Sequence, residues 1–322
     1  MKNRKLISFV VPCYRSENTI KRVVDEIDST MASSDLFDYE VILVNDCSPD
    51  NVWTVIKDLV SADHRITGIN LAKNFGQHSA LMAGYRQSRG EYVVSLDDDG
   101  QTAASEVFKL INKLEEGFDV VYATYPEYHQ TLFRKLGSDL ATKMNNYMFD
   151  IKRPMPKGSS YFIMRRFIVD EIIRYDHAYT YIAGLVLRST RNIAMVPVEH
   201  RNRLEGTSGY SLRSLISLWL NGFTAFSVKP LEISAYIGFL CSVGGLIFVI
   251  VTIIRKLMNP GIQAGWSSLI SIIMIIGGII MVMLGLIGEY IGRIYICLNN
   301  SPQFVVKEIC HIEDLEDENC SC

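Results

Sequence analysis

The sequence predicts an α/β domain on a mostly parallel sheet, followed by a hairpin of two membrane-spanning helices. Three observations carry this prediction. Short, nearly continuous apolar runs alternate with amphipathic stretches through the first 125 residues. Strands of that kind are buried on both faces, as in a parallel sheet covered by helices. Polar residues capable of chemistry stand at three of the run ends. Beyond Lys229-Pro230 the chain turns strongly apolar.

The elements follow in order. LISFVVPCY is a first strand stopped by Pro12, and ENTIKRVVDEIDSTM a helix with Val23, Val24 and Ile27 on one face. YEVILVNDCSPDN is a second strand ending in turn residues, and NVWTVIKDLV a helix. RITGINLAKN is a third strand, HSALMAGYRQS a helix, and EYVVSLDDDG a fourth strand. The opening MKNRK leads through a short apolar run straight into PCYRSEN, so it reads as a strand and not as a secretory leader.

Two later runs, Ile233 to Ile254 and Ser267 to Gly288, carry no charge. Each matches the roughly 20 residues that cross a bilayer. RKLMNPGIQAGW makes the turn between them, and SLRSLISLWLNGFTAFSVK ahead of them has the apolar stripe of a helix lying on a membrane surface. The expected organisation is a catalytic domain over 1–210, a surface helix over 211–230, two spans over 231–298 and an acidic cytoplasmic tail over 299–322. Arg255 and Lys256 in the turn offset Lys229 and Arg293 on the flanks, so charge bias does not set sidedness. A net charge of −3 offers nucleic acid no general attraction. Seven scattered cysteines, including Cys320 and Cys322 at the end, fit reduced thiols facing a cytosol. Oligomeric state is left open.

In open parallel sheets ligands bind beyond the carboxyl ends of the strands. Three such ends are polar here: Pro12-Cys13-Tyr14, Asn45-Asp46, and Asp97-Asp98-Asp99 with Gln101 behind. Alone, DDDG is an ordinary solvated turn. Beside two other polar strand ends it reads as a cation site, because Mg²⁺ or Mn²⁺ removes the repulsion among carboxylates. Asp97 and Asp99 fall on one side of the strand end and Asp98 on the other. Tyr14 offers a ring and a hydroxyl, and Asp46 a hydrogen-bond acceptor for a base or ribose. The chain has neither a GxGxxG nor a GxxxxGKS phosphate loop.

PCYRSEN, VNDCSPD, AKNFGQHSALMAGY and SLDDDGQ, in this order, resemble successive motifs of the family 2 glycosyltransferases of GT-A fold. The nearer likeness is to the polyprenyl-phosphate branch, and LIGEYIGRIY is similar to its bacterial members, which carry a membrane hairpin. The resemblance spans about residues 5 to 300. It implies a Rossmann-like domain that moves a sugar from a nucleotide donor, expected to be UDP-linked, to a polyprenyl (undecaprenyl) phosphate, with inversion. It places Pro12, Tyr14 and Asp46 around the nucleotide, Lys73 near its phosphates, and Asp98 within the same site. Asp97, Asp99 and Gln101 would hold Mg²⁺ or Mn²⁺. Arg134 and Ser138 match positions that grip the acceptor phosphate, and Arg203 and Ser208 a loop that closes on the donor. Arg201 is a nearby candidate. Arginine also suits such contacts by its chemistry, since its fork pairs two phosphate oxygens.

Three departures stand out. Asn45-Asp46 replaces a paired Asp-Asp, and Glu17 sits one residue later than the usual acid. Ser160 and Phe162 stand where relatives often have an acid and an arginine. A lipid phosphate is largely dianionic at pH 7, with a second pKa of about 6, so it needs no base. A hydroxyl acceptor would need one, and Asp98 is the candidate. His78 and His200 read as structural. A non-catalytic lipid-binding scaffold of the same fold is the reading from another class, and intact Asp97, Asp99 and Gln101 argue against it. Because nucleotide sugars are cytosolic, the catalytic domain and both termini are expected on the cytoplasmic side of the plasma (inner) membrane.

Overall fold

The computed structural model describes residues 4–125, 160–199, 201, 229–258, 265–299 and 301–311. The chain forms two compact units, Met1–Gly209 with Ser301–Cys322, and Tyr210–Asn300.

The first unit is built on one sheet. Strands β1 (Lys5–Cys13), β2 (Phe37–Asn45), β3 (Ile66–Leu71) and β4 (Tyr92–Ser95) pair in parallel in the order β4-β1-β2-β3. The last seven residues of β1 and the last six of β2 are buried, as their unbroken apolar runs require. Helices α1 (Ile20–Ala32), α2 (Val52–Ala62), α3 (Gln77–Gln87) and α4 (Val107–Glu115) connect and cover these strands. In α1 the inward stripe is Ile20, Val23, Val24, Ile27 and Met31, the helical spacing of the sequence pattern. Helix α3 lies close on β1. A Cβ at Gly84 would come within 2.3 Å of Val10 Cγ1, so only glycine fits there.

An antiparallel insertion in the sheet and a strand late in the chain were not predicted. Strand β6 (Phe162–Arg165) inserts antiparallel between β4 and β5 (Val120–Thr124), and β7 (Ile193–Pro197) pairs in parallel with β5. Short helices α5 (Arg166–Ile172) and α6 (Ile182–Ser189) stand between β6 and β7. The stretch expected to be tail is in part structural. Residues Val306–Cys310 form β8, antiparallel to β3 at the sheet edge, so the order is β7-β5-β6-β4-β1-β2-β3-β8. The ladder extends to an Ala72 N–H bond to the Val305 carbonyl, 2.9 Å, and Lys57 pairs with Glu308 at 2.9 Å. Burial of β3 explains the strand: its edge donors and acceptors need partners, and β8 supplies them.

The second unit contains helices α7 (Lys229–Met258) and α8 (Trp266–Leu298). They touch where Gly238 meets Met283, whose Cε would lie 2.7 Å from an added Cβ. Large apolar side chains face outward on both, among them Phe239, Leu240, Met281 and Val282. Among the described residues one stretch, Ile275–Leu298, has the length and hydropathy of a membrane span. The expected surface helix over 211–230 lies almost wholly outside the described residues.

Candidate active site

The parallel pairing brings the three polar strand ends to one edge, with β1 between β2 and β4. Cys13 stands opposite Asn45 in the ladder. The Tyr14 N–H donates to Asp98 Oδ2 at 2.9 Å, tying the end of β1 to the acidic turn after β4. Pro12 is buried beneath this junction, while the Tyr14 ring is exposed with the Arg15 guanidinium 5.5 Å from its centroid. Arg15 takes φ 58°, and its N–H donates to Ser48 Oγ at 2.7 Å.

Asp46 is buried, and its two carboxylate oxygens accept the N–H groups of Phe75 (2.7 Å) and Gly76 (2.8 Å). Burial raises its pKa, and the two amide bonds oppose the rise. The carboxylate therefore fixes the loop that follows β3, where Gly76 takes φ 86° and Lys73 is exposed over the Phe75 ring. The departures become intelligible. Asn45 donates to Asn70 at 2.9 Å and accepts the Ser48 N–H at 3.0 Å, holding β2, β3 and the turn together. Glu17 accepts the N–H of Asn51, the residue that opens α2, at 2.9 Å.

The three acidic residues have different surroundings. Asp97 accepts Gln77 Nε2 at 2.9 Å on Oδ1 and the Ser160 hydroxyl on Oδ2. Asp99 accepts the Gln101 N–H at 3.1 Å. Asp98 is half-buried and accepts the Tyr14 N–H. Burial pushes its pKa up to about 6, and its neighbours Asp97 and Asp99 add to the rise. Among the described residues no three His, Cys, Asp or Glu side chains form a metal-ligating group. Two carboxylates and a carboxamide suit Mg²⁺ or Mn²⁺ all the same, because such ions take one or two carboxylates and fill the remaining positions from phosphate and water.

Arg201 turns elsewhere. Its guanidinium pairs with Glu26 of α1 at 3.0 Å, while its N–H bonds the Gln101 carbonyl at 2.7 Å. His78 packs edge-on against Tyr181, its Nδ1 is buried with no hydrogen-bond partner, and burial lowers its pKa to about 4. Arg134, Ser138, His200, Arg203 and Ser208 lie outside the described residues. Gln77 is a contact of the site that pattern reading missed, and Ser160, singled out as a departure, is the second donor to Asp97.

Comparison with known proteins agrees with this geometry. The model of glycosyl transferase family 2 matches residues 8–173, and that of the GtrB C-terminal hairpin residues 229–294. An uncharacterised glycosyltransferase of Bacillus subtilis is 32% identical over 312 residues, 95% of each chain. The undecaprenyl-phosphate 4-deoxy-4-formamido-L-arabinose transferase of Yersinia pestis is 32% identical over 323 residues, 97% of this chain and 96% of that one. Among solved structures, glucosyl-3-phosphoglycerate synthase from Mycobacterium tuberculosis matches with a TM-score of 0.51 at 20% identity, over 67% of this chain and 76% of the other, a likeness of fold. The mostly parallel sheet, the acidic turn at its edge and these matches have one conclusion: the chain belongs to glycosyl transferase family 2.

Proposed function

We propose that this protein is a membrane-anchored, inverting glycosyltransferase that moves a sugar from a nucleotide diphosphate donor, of the UDP class, to a polyprenyl phosphate. The observation that carries the reading is the junction of Tyr14, Asp46 and Asp97–Asp99 at one sheet edge. The full-length relative named for undecaprenyl phosphate supports the acceptor. Tyr14 and Asp46 with its loop receive the nucleotide, and Lys73 stands by the phosphates. Asp97, Asp99 and Gln101 hold Mg²⁺ or Mn²⁺. When bound, that cation neutralises the diphosphate leaving group. Arg134, Ser138, Arg203 and Ser208 are assigned to phosphate contacts, offsetting the repulsion between two anionic reactants.

The acceptor phosphate needs no base, and the placement of Asp98 favours this chemistry over a hydroxyl acceptor. Its Oδ2 is already engaged by the Tyr14 backbone N–H 2.9 Å away. Helices α7 and α8, both sheathed in apolar side chains, would form the anchor. That keeps the enzyme beside a lipid that never leaves the bilayer. Cytoplasmic placement of the catalytic domain follows from where nucleotide sugars are made.

The test is transfer in membranes carrying the protein, with undecaprenyl phosphate or undecaprenol and a panel of UDP- and GDP-sugars, scored by product mass. A glycosyl phospholipid product is expected from the phosphate alone, and Asp99→Asn should lower its rate on the order of 10³-fold, the loss expected when several kcal/mol of charge stabilisation go. Transfer to undecaprenol, or full activity in Asp99→Asn, would overturn the reading.

A further inference from the structure

We propose that Gln77 and Ser160 are positioning residues that hold the carboxylate of Asp97 in the orientation a divalent cation requires. The inference rests on the metal reading given above. Oδ1 of Asp97 accepts Gln77 Nε2 at 2.9 Å and Oδ2 accepts the Ser160 hydroxyl, so each oxygen is engaged by a different element. Both elements are fixed independently of Asp97. Gln77 is the first residue of α3, whose approach is set by the Phe75 and Gly76 bonds to Asp46 and whose body is seated by Gly84 against Val10. Ser160 precedes β6, which pairs with β4 through Phe162 opposite Ser95.

The chemistry of the two donors is informative. Both are neutral, so they orient the carboxylate without cancelling its charge. A carboxylate oxygen offers two lone pairs, so one hydrogen bond to it does not by itself exclude a cation. An acid at 160 would repel Asp97, whereas a serine hydroxyl donates to it. Hydrogen bonds from outside the ligand set are a general means of orienting metal ligands, and their loss typically costs 10–100-fold in metal affinity or activity.

The experiment is Mn²⁺ binding to the detergent-solubilised full chain in the presence of UDP, followed by electron paramagnetic resonance. Thermal unfolding without metal is measured alongside. Gln77→Ala and Ser160→Ala should each weaken Mn²⁺ about 10–100-fold. Gln77→Glu keeps the size but replaces the donor with an acceptor, and should weaken binding at least as much. Ser160→Thr keeps the hydroxyl and should stay within about threefold of the parent. The double alanine variant should lose less than the product of the single losses, because both act on one carboxylate. Wild-type Mn²⁺ affinity in the alanine variants, with binding lost in Asp97→Asn, would overturn the positioning role alone. Wild-type affinity in Asp97→Asn would remove the metal assignment beneath it.

Discussion

At the scale of single residues, two half-buried ionisable groups near the site oppose each other. Asp98 has a pKa of about 6 in the folded protein against an ordinary 3.8, so the folded state keeps a proton that the unfolded chain has lost. Stability from this group therefore falls as pH rises from about 4 to 6, and the cost is complete above 6. His78 has a pKa of about 4 against 6.5, so the unfolded chain binds the proton first. Stability from this group falls as pH drops from 6.5 towards 4. Each shift is on the order of 3 kcal/mol, and the two slopes nearly cancel over the shared window. Metal-free wild type should show a shallow stability profile between pH 4 and 6.5. Asp98→Asn should lose stability steeply towards acid, and His78→Gln should gain it. Chemical denaturation at a series of pH values measures this, and parallel profiles for all three proteins would refute it. Which residues matter was partly legible beforehand. Asp97–Asp99 and Asp46 announce themselves as polar ends of apolar runs. Gln77 and Ser160 reach Asp97 across 20 and 63 residues of chain, distances over which no local pattern carries information.

At the scale of elements, legibility follows the strength of the local pattern. Strands β1 and β2 are long apolar runs with a helix after each, and both were expected. Strand β8 is five residues, exposed over its first two, and its partner lies more than 230 positions upstream. Only the unpaired edge of β3 calls for it. Helix α3 shows the opposite case, a local pattern whose meaning is tertiary. Its alanine- and glycine-rich sequence reflects the closeness of β1, where Val10 fills the space a side chain at 84 would need. Gly84→Ala should cost about 1–3 kcal/mol through overpacking. Because α3 begins at Gln77, nucleotide and metal affinity should fall with it. Thermal denaturation and a UDP titration read the two effects. An unchanged melting temperature would mean that the helix can lift from the strand without strain.

At the scale of the whole molecule, the order of segments along the chain matters as much as their shapes. The sheet is assembled from both sides of the helical pair, since β1 to β7 precede α7 and β8 follows α8. A strand hydrogen-bonded to β3 cannot be on the far side of a bilayer from it. The polypeptide between β7 and β8 must then cross the membrane an even number of times, or not at all. If Ile275–Leu298 is one crossing, a second is obligatory, and among the described residues the 30-residue helix α7 is long enough to make it. Pairing of five residues at a sheet edge thus fixes a parity that the balance of positive charges leaves undecided. Thiol labelling of oriented inner-membrane vesicles tests it. Exposed Cys47 and an introduced Gln263→Cys should be modified from opposite faces, and a reagent that reaches both from one face would mean that the helices lie on the membrane without crossing it.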